Sequence, residues 1–170
     1  LYDFLDYWWH RWNHTLSFLW RFHRSHHTDT HVDTTTALRF HPGELLFSAI
    51  FKGAWVLLWG PSLWGFLGAE IAISTFSQFH HSNLVFFPKA EIWIRKIIIT
   101  PVIHASHHSV HTHIRNQNYS TILSLWDRIF GSYHPPLPSD PQEMGVEDLR
   151  DEKKAHSLPQ VFIEPLRRKT

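Results

Sequence analysis

Three histidine clusters constrain this chain more than any other feature. They read His10-x-x-x-His14, His23-x-x-His26-His27 and His104-x-x-His107-His108. Residues three and four apart share one face of an α-helix, so each cluster, if helical, points two or three imidazoles the same way. Imidazole is the commonest protein metal ligand near neutral pH. Brought together, three such faces supply too many nitrogens for one tetrahedral ion, and two metals suit them better. Left unpartnered in an apolar setting, neutral rings would cost several kcal/mol each by a rough estimate, a cost that ligation removes.

Composition limits the chemistry. The chain has 170 residues, enough for one domain with a sizeable core, and its formal charge of +1 gives no nucleic-acid signal. With no cysteine, thiolate zinc sites, iron–sulfur clusters and disulfides are excluded. A metal here is held by nitrogen and oxygen, which suits iron, zinc, copper or nickel. The Glu and Glu-x-x-His pairs of soluble di-iron bundles are missing, as is the His-Glu-x-x-His of zinc proteases. Asp6, four residues before His10, is the expected carboxylate partner of that ring. Asp3, Asp29, Asp33, Asn118 and Asp127 are further candidates for orienting ligands.

Hydropathy along the chain points to an all-α protein. Residues 1–27 read as one helix or two short ones, apolar on most sides. Residues 28–44 read as a loop, with Pro42 opening the next helix. From Leu45 to Phe79 only Lys52 and Glu70 are charged, and Gly60-Pro61 interrupts the run. The stretch fits either a helical hairpin dipping into a bilayer or one kinked, tilted span, with Trp55, Trp59 and Trp64 at an interface. A buried hairpin of a soluble protein is the competing reading. Residues 90–100 fit a surface helix in the headgroup region or a buried strand. Thr100-Pro101 reads as the cap and first position of a helix carrying His104, His107 and His108. Residues 135–170 read as an exposed polar tail with a short helix around 145–156. The opening Leu1-Tyr2-Asp3 reads as an internal start, with membrane spans expected upstream.

Several stretches together carry a family resemblance: Asp-Tyr-Trp-Trp-His-Arg-Trp-Asn-His (6–14), Leu-Trp-Arg-Phe-His-Arg-Ser-His-His (19–27), Leu-Arg-Phe-His-Pro-Gly-Glu (38–44), Phe-His-His-Ser-Asn (79–83), Thr-Pro-Val-Ile-His-Ala-Ser-His-His-Ser (100–109) and Asn-Tyr-Ser-Thr-Ile-Leu-Ser-Leu-Trp-Asp-Arg-Ile-Phe-Gly-Ser (118–132). In order and spacing they resemble the fatty acid hydroxylase/sterol desaturase superfamily over a domain of residues 1–134. The resemblance implies an integral membrane helical bundle with a cytosolic helical cap carrying the histidine boxes, in a bacterial inner membrane or the endoplasmic reticulum. It implies two iron ions, O2 as co-substrate, a membrane lipid as substrate, and electrons from a redox carrier such as cytochrome b5 or ferredoxin with its reductase. The reaction it implies is hydroxylation or desaturation of a lipid C–H bond.

Carried over residue by residue, the ligands are His10, His14, His23, His26, His27, His81, His104, His107 and His108. His80 and His41 rank lower as site neighbours, together with Asp6, Asn118 and Asp127. His111 and His113 are not expected to be ligands. Ala105 and Ser120 depart from the family pattern, where Arg and Gly are frequent, without removing a ligand. Arg11, Arg24, Arg95, Lys96 and Arg115 are expected on the cytoplasmic side, where they suit docking of an acidic carrier. A zinc-dependent membrane hydrolase, a non-catalytic metal-binding membrane protein and a soluble histidine-rich binding module are the rival readings.

Overall fold

No glycine or proline occurs before Pro42, so nothing in the first 41 residues forces the backbone out of a helix. In the structure, a computed structural model that describes residues 1–137, 140 and 143–166, this stretch forms α1 (Tyr2–Thr15) and α2 (Ser17–His27). They are separated by Leu16 alone, which is extended. At the break the Thr15 hydroxyl bonds back to the Arg11 carbonyl at 2.9 Å, a local bond that competes with helix continuation. The helix α2 packs back along α1, setting His23 beside His10 and His27 beside His14.

A loop follows, with Asp29 and Asp33 as its internal acceptors. Asp29 takes the His31 amide and the Thr36 hydroxyl, while Asp33 takes the Thr35 amide and hydroxyl. Then His41 caps α3 (Pro42–Trp59), accepting the Gly43 amide on Nδ1 at 2.8 Å, with Pro42 in the first turn. Glycine is required at 43, because a Cβ there would stand 2.7 Å from the Phe22 ring of α2.

The apolar stretch folds as a hairpin. Gly60, in the left-handed region at φ 59°, terminates α3, and Ser62 caps α4 (Leu63–His80). Lys52 and Glu70 pair between the two helices at 2.8 Å. The stretch is therefore a hairpin and not one kinked helix. Among the described residues no helix is long and apolar enough to cross a membrane. The hairpin instead leaves large apolar side chains exposed at its tip, including Leu57, Leu58, Trp59, Leu63 and Trp64.

The second half returns beneath α1 and α2. Residues 90–100 divide between both expectations: α5 (Pro88–Ile94) is helical with Ile92 and Trp93 exposed, whereas Ile98 bridges Leu123 and Ile99 is fully buried. Thr100 caps α6 (Pro101–His107), as its sequence predicts. Two short helices follow, α7 (Thr112–Arg115) and α8 (Leu125–Ile129). Asp3 ties α1 to this region, accepting from the Ile122 and Leu123 amides and the Trp126 indole. Phe4, Tyr7 and Trp8 of α1 pack on Trp126 and Phe130. Among the described residues there is no strand, only isolated bridges, which makes the architecture all-α.

The C-terminal segment is not an exposed tail. Residues 143–166 carry α9 (Glu152–Ala155) and α10 (Leu158–Ile163) and pack against α2; residues 138, 139, 141, 142 and 167–170 of the expected tail lie outside the described residues. Val146, Leu149 and Ala155 form a small core. Glu164 is buried and pairs with the buried Arg24 of α2, which also meets Asp148. A polar composition hid this docking, because ion pairs and hydrogen bonds, such as Ser25 Oγ to the Val161 carbonyl, carry much of it.

Candidate metal centre

All nine histidines expected as ligands converge at the junction of α1, α2, α4 and α6, in two groups. His10, His14, His23, His27 and His107 form one, and His26, His81, His104 and His108 the other. Within each group one ligand nitrogen per ring lies within 4.8 Å of all the others. In the second group Nε2 of His81 stands 3.1 Å from Nε2 of His26, 3.0 Å from that of His104 and 3.2 Å from that of His108. His104 and His108 are 3.2 Å apart at the same atoms. In the first group His10 and His107 approach to 3.1 Å at Nε2.

Hydrogen bonding among the rings does not account for this convergence. An imidazole nitrogen offers one in-plane direction, as donor or as acceptor, and His81 Nε2 has three nitrogen neighbours. Around an ion with metal–nitrogen bonds of about 2.0–2.1 Å, neighbouring ligand nitrogens sit about 3 Å apart, close to the spacing found. Nε2 of His14 and His23 and both nitrogens of His27 are buried without a hydrogen-bond partner. Each such atom costs about 1–3 kcal/mol if left unmade. The donor set therefore fits two metal ions.

The outer nitrogens show how the rings are aimed. His10 Nδ1 donates to the Tyr119 carbonyl at 2.7 Å, His107 Nδ1 to the Gln117 carbonyl at 2.7 Å, and His81 Nδ1 to the Ser77 carbonyl at 2.7 Å. A carbonyl only accepts, so each Nδ1 carries the proton and each neutral ring turns a lone pair on Nε2 inward. His23 Nδ1 meets Glu44 Oε1 at 2.7 Å with both groups buried. The carboxylate–histidine pair is thus Glu44 with His23, and not Asp6 with His10. Asp6 instead accepts from the Thr121 hydroxyl at 2.5 Å.

Burial and the neighbouring rings keep eight of the nine imidazoles neutral. Desolvation, then the proximity of His23, lowers His10 to about 3; desolvation lowers His81 to about 4. His14, His26, His27, His104, His107 and His108 are all lowered well below the ordinary value, first by burial and then by each other. The neutral ring is the form that ligates metal.

The lower-ranked neighbours have other partners. His80 lies outside both groups, its ring tilted against that of His104 at 3.8 Å between centres, with Nδ1 bonded to the Thr121 carbonyl at 3.1 Å. His41 is a helix cap. Asp127 accepts the Tyr119 and Ser120 amides and the Ser132 hydroxyl, and so holds the loop whose carbonyls aim the histidines. Asn118, at φ 55°, pins the same loop to His134 through both ends of its amide. Ser120 is fully buried and its Oγ accepts the Asp127 amide. Arg24 and Arg115 are buried, which removes them from the expected carrier-docking surface.

A cavity of about 360 Å³ opens beside the rings, between α1, α3 and α4. His10, His23, His26, His80, His81 and His104 line one part of it, and Lys52 and Glu70 another.

The site is thus a helical scaffold that gathers two buried groups of histidines, each with a donor set suited to a metal ion, beside a cavity. The chain belongs to the fatty acid hydroxylase family, whose model matches residues 1–132. It is 35% identical over 130 residues to alkylglycerol monooxygenase of Danio rerio, covering 76% of this chain and 28% of that protein. It is 31% identical over 131 residues to ornithine lipid hydroxylase OlsE of Rhizobium tropici, covering 76% and 39%. To the Delta(7)-sterol 5(6)-desaturase erg3B of Aspergillus fumigatus it is 26% identical over 135 residues, covering 79% and 37%. These relatives are lipid hydroxylases and desaturases, and the chain spans well under half of their length. No solved structure matches it.

Proposed function

We propose that this chain forms the metal-bearing core of an O2-dependent lipid hydroxylase or desaturase, with His10, His14, His23, His27 and His107 holding one iron and His26, His81, His104 and His108 the other. The observation that carries this reading is the inward convergence of ring nitrogens in two separate groups, beside a cavity. When bound, the two irons supply O2 binding and its reduction. Hydroxylation then balances as R–H + O2 + 2 e⁻ + 2 H⁺ giving R–OH and water, and desaturation as loss of two hydrogens with two waters formed.

The chain's own residues position and insulate the site. Carbonyls at 77, 117 and 119 fix the tautomers of His81, His107 and His10, so their lone pairs are preorganised. Glu44 adds negative charge beside an otherwise neutral donor set through His23. The buried rings exclude bulk water, which favours reaction of the lipid over side reactions. The lipid's C–H bond sits in the cavity against His26, His81 and His104.

The exposed apolar tip of the α3–α4 hairpin supports membrane association, with the hairpin dipping into one leaflet and the histidine groups at its cytoplasmic boundary. Lys96 at the surface, with Arg95 beside it, is left to meet an acidic electron carrier. The test is metal analysis joined to an O2-uptake assay with a reduced carrier and membrane lipids. Iron content and a lipid product one oxygen heavier, or two hydrogens lighter, support the proposal. Activity that persists without O2 defeats it in favour of a zinc hydrolase.

A further inference from the structure

Tyr119 lends more than its carbonyl to the histidines. Its buried ring packs against His14, His107 and His10 of the first group, at 5.3, 5.9 and 6.0 Å between centres. From there a run of oxidisable rings leads outward through α1. Tyr7 follows at 6.3 Å, Trp8 at 5.6 Å and Trp12 at 6.1 Å, each measured from the ring before it. Tyr7 is fully buried, whereas Trp12 is 37% exposed and so brings the run to the surface. The chain has no cysteine, which leaves tyrosine and tryptophan as its readiest one-electron donors.

Packing alone explains these rings but not the Tyr7 hydroxyl. A phenylalanine fills the same space without polar partners, and a buried hydroxyl costs free energy unless it is bonded. Here a directed chain of bonds serves it. Arg11 Nη1, which only donates, meets the Tyr7 oxygen at 2.7 Å. Ser132 Oγ donates its one hydrogen to Asp127 Oδ1 at 2.7 Å, because a carboxylate only accepts. The Tyr7 hydrogen therefore has one place to go, the Ser132 oxygen at 2.8 Å. A phenol sheds its proton when it loses an electron. This one points along a two-step path to the buried Asp127 carboxylate.

We propose that Tyr119, Tyr7, Trp8 and Trp12 form an escape route for oxidising equivalents, passing electrons from the surface to the first histidine group when O2 is activated with no lipid in place. This goes beyond the oxygenase reading and rests on it for the oxidant. Tyr119 gives one electron to the oxidised centre and is refilled from Tyr7. Tyr7 loses its electron as its proton moves to Ser132 and the Ser132 proton moves to Asp127. Both protons return when Trp8, and behind it Trp12, refills Tyr7. A one-electron donor of the thiol or ascorbate class then reduces Trp12. Two such transfers, added to the two electrons from the carrier, complete O2 + 4 e⁻ + 4 H⁺ giving two waters, with the protons drawn from solvent. The ligand histidines, nearest to the oxidant, are spared.

The experiment loads the full chain with ferrous iron in detergent without lipid, adds hydrogen peroxide, and maps oxidised residues by peptide mass spectrometry. In the wild type, oxidation gathers at Trp12 and spares His10, His14 and His107. Tyr7→Phe keeps the ring and loses the proton path, so oxidation shifts severalfold from Trp12 to those histidines. An identical map in wild type and variant overturns the proposal, as do wild-type ligands oxidised as readily as Trp12. Peroxide at bound iron needs neither O2 nor a lipid C–H bond. An unshifted map therefore sinks the route and leaves the oxygenase reading standing, whereas a shifted map without any O2-dependent lipid product does the reverse. The route is also read from its outer end on the metal-free chain, where a photogenerated ruthenium(III) oxidant in solution attacks exposed indoles. Tyrosyl radical, followed by transient absorption, falls severalfold in Tyr7→Phe and in Trp12→Phe. An undiminished yield in either variant overturns the route, whether or not iron binds.

Discussion

The Nδ1–H of His10 donates to the carbonyl oxygen of Tyr119 across 2.7 Å, although 109 positions separate the two residues in the chain. Gln117 and Thr121 do the same for His107 and His80, so alternate carbonyls of one loop serve three rings. Asp127 holds that loop through the Tyr119 and Ser120 amides. Replacing Asp127 with Ala strips an acceptor from three buried donors, at about 1–3 kcal/mol for each one left unmade. Asp127→Ala is expected to lower the unfolding midpoint and to weaken metal binding about ten- to a hundredfold, read by thermal unfolding and metal titration.

Glu44 offers a cleaner separation of aim from charge. Gln at 44 keeps an acceptor for His23 Nδ1, whereas Ala removes it. Glu44→Gln should retain bound metal with altered redox behaviour, and Glu44→Ala should lose about ten- to a hundredfold in affinity. Equal metal binding by both variants would show that the contact does not orient His23.

Acid should destabilise the metal-free protein. His10 and His81 sit at about 3 and about 4 when folded, against an ordinary value near 6.5. Between these limits the unfolded chain binds more protons than the folded one, so stability falls as pH drops. The loss begins near pH 6.5 and continues to about pH 3. Denaturant midpoints measured from pH 8 to pH 4 are expected to decline steadily below 6.5, and a flat profile would contradict burial of neutral rings.

The C-terminal segment should matter to the site. Glu164 is buried against Arg24, which adjoins His23 in α2. Removing one partner of a buried ion pair costs about 3–5 kcal/mol. Glu164→Ala should lower the unfolding midpoint sharply, and a surface-like change below about 0.5 kcal/mol would show that the segment is dispensable.

Much of the site can be read along the chain because helical spacing is local. His10 and His14, His23 with His26 and His27, and His104 with His107 and His108 each announce a shared face. His81 has no such neighbour and is visible only through the family resemblance. Glu44 carried no local signal for its role, because its partner lies 21 residues away on another helix. Asp6 sits at helical spacing from His10, yet the Tyr119 carbonyl takes that ring, and backbone acceptors leave no mark in the residue pattern. The packing of residues 143–166 on α2 was hidden for a related reason: charged side chains such as Glu164 read as exposed until the partner that buries them is known.

The most direct test of the account is the number of irons bound per chain after anaerobic loading, in the wild-type protein and in two paired variants. Two irons are predicted for the wild type, and one each for His14→Ala/His27→Ala and for His81→Ala/His108→Ala. A single iron in the wild type, or loss of neither ion on removing a pair of rings, would contradict two separate histidine sites.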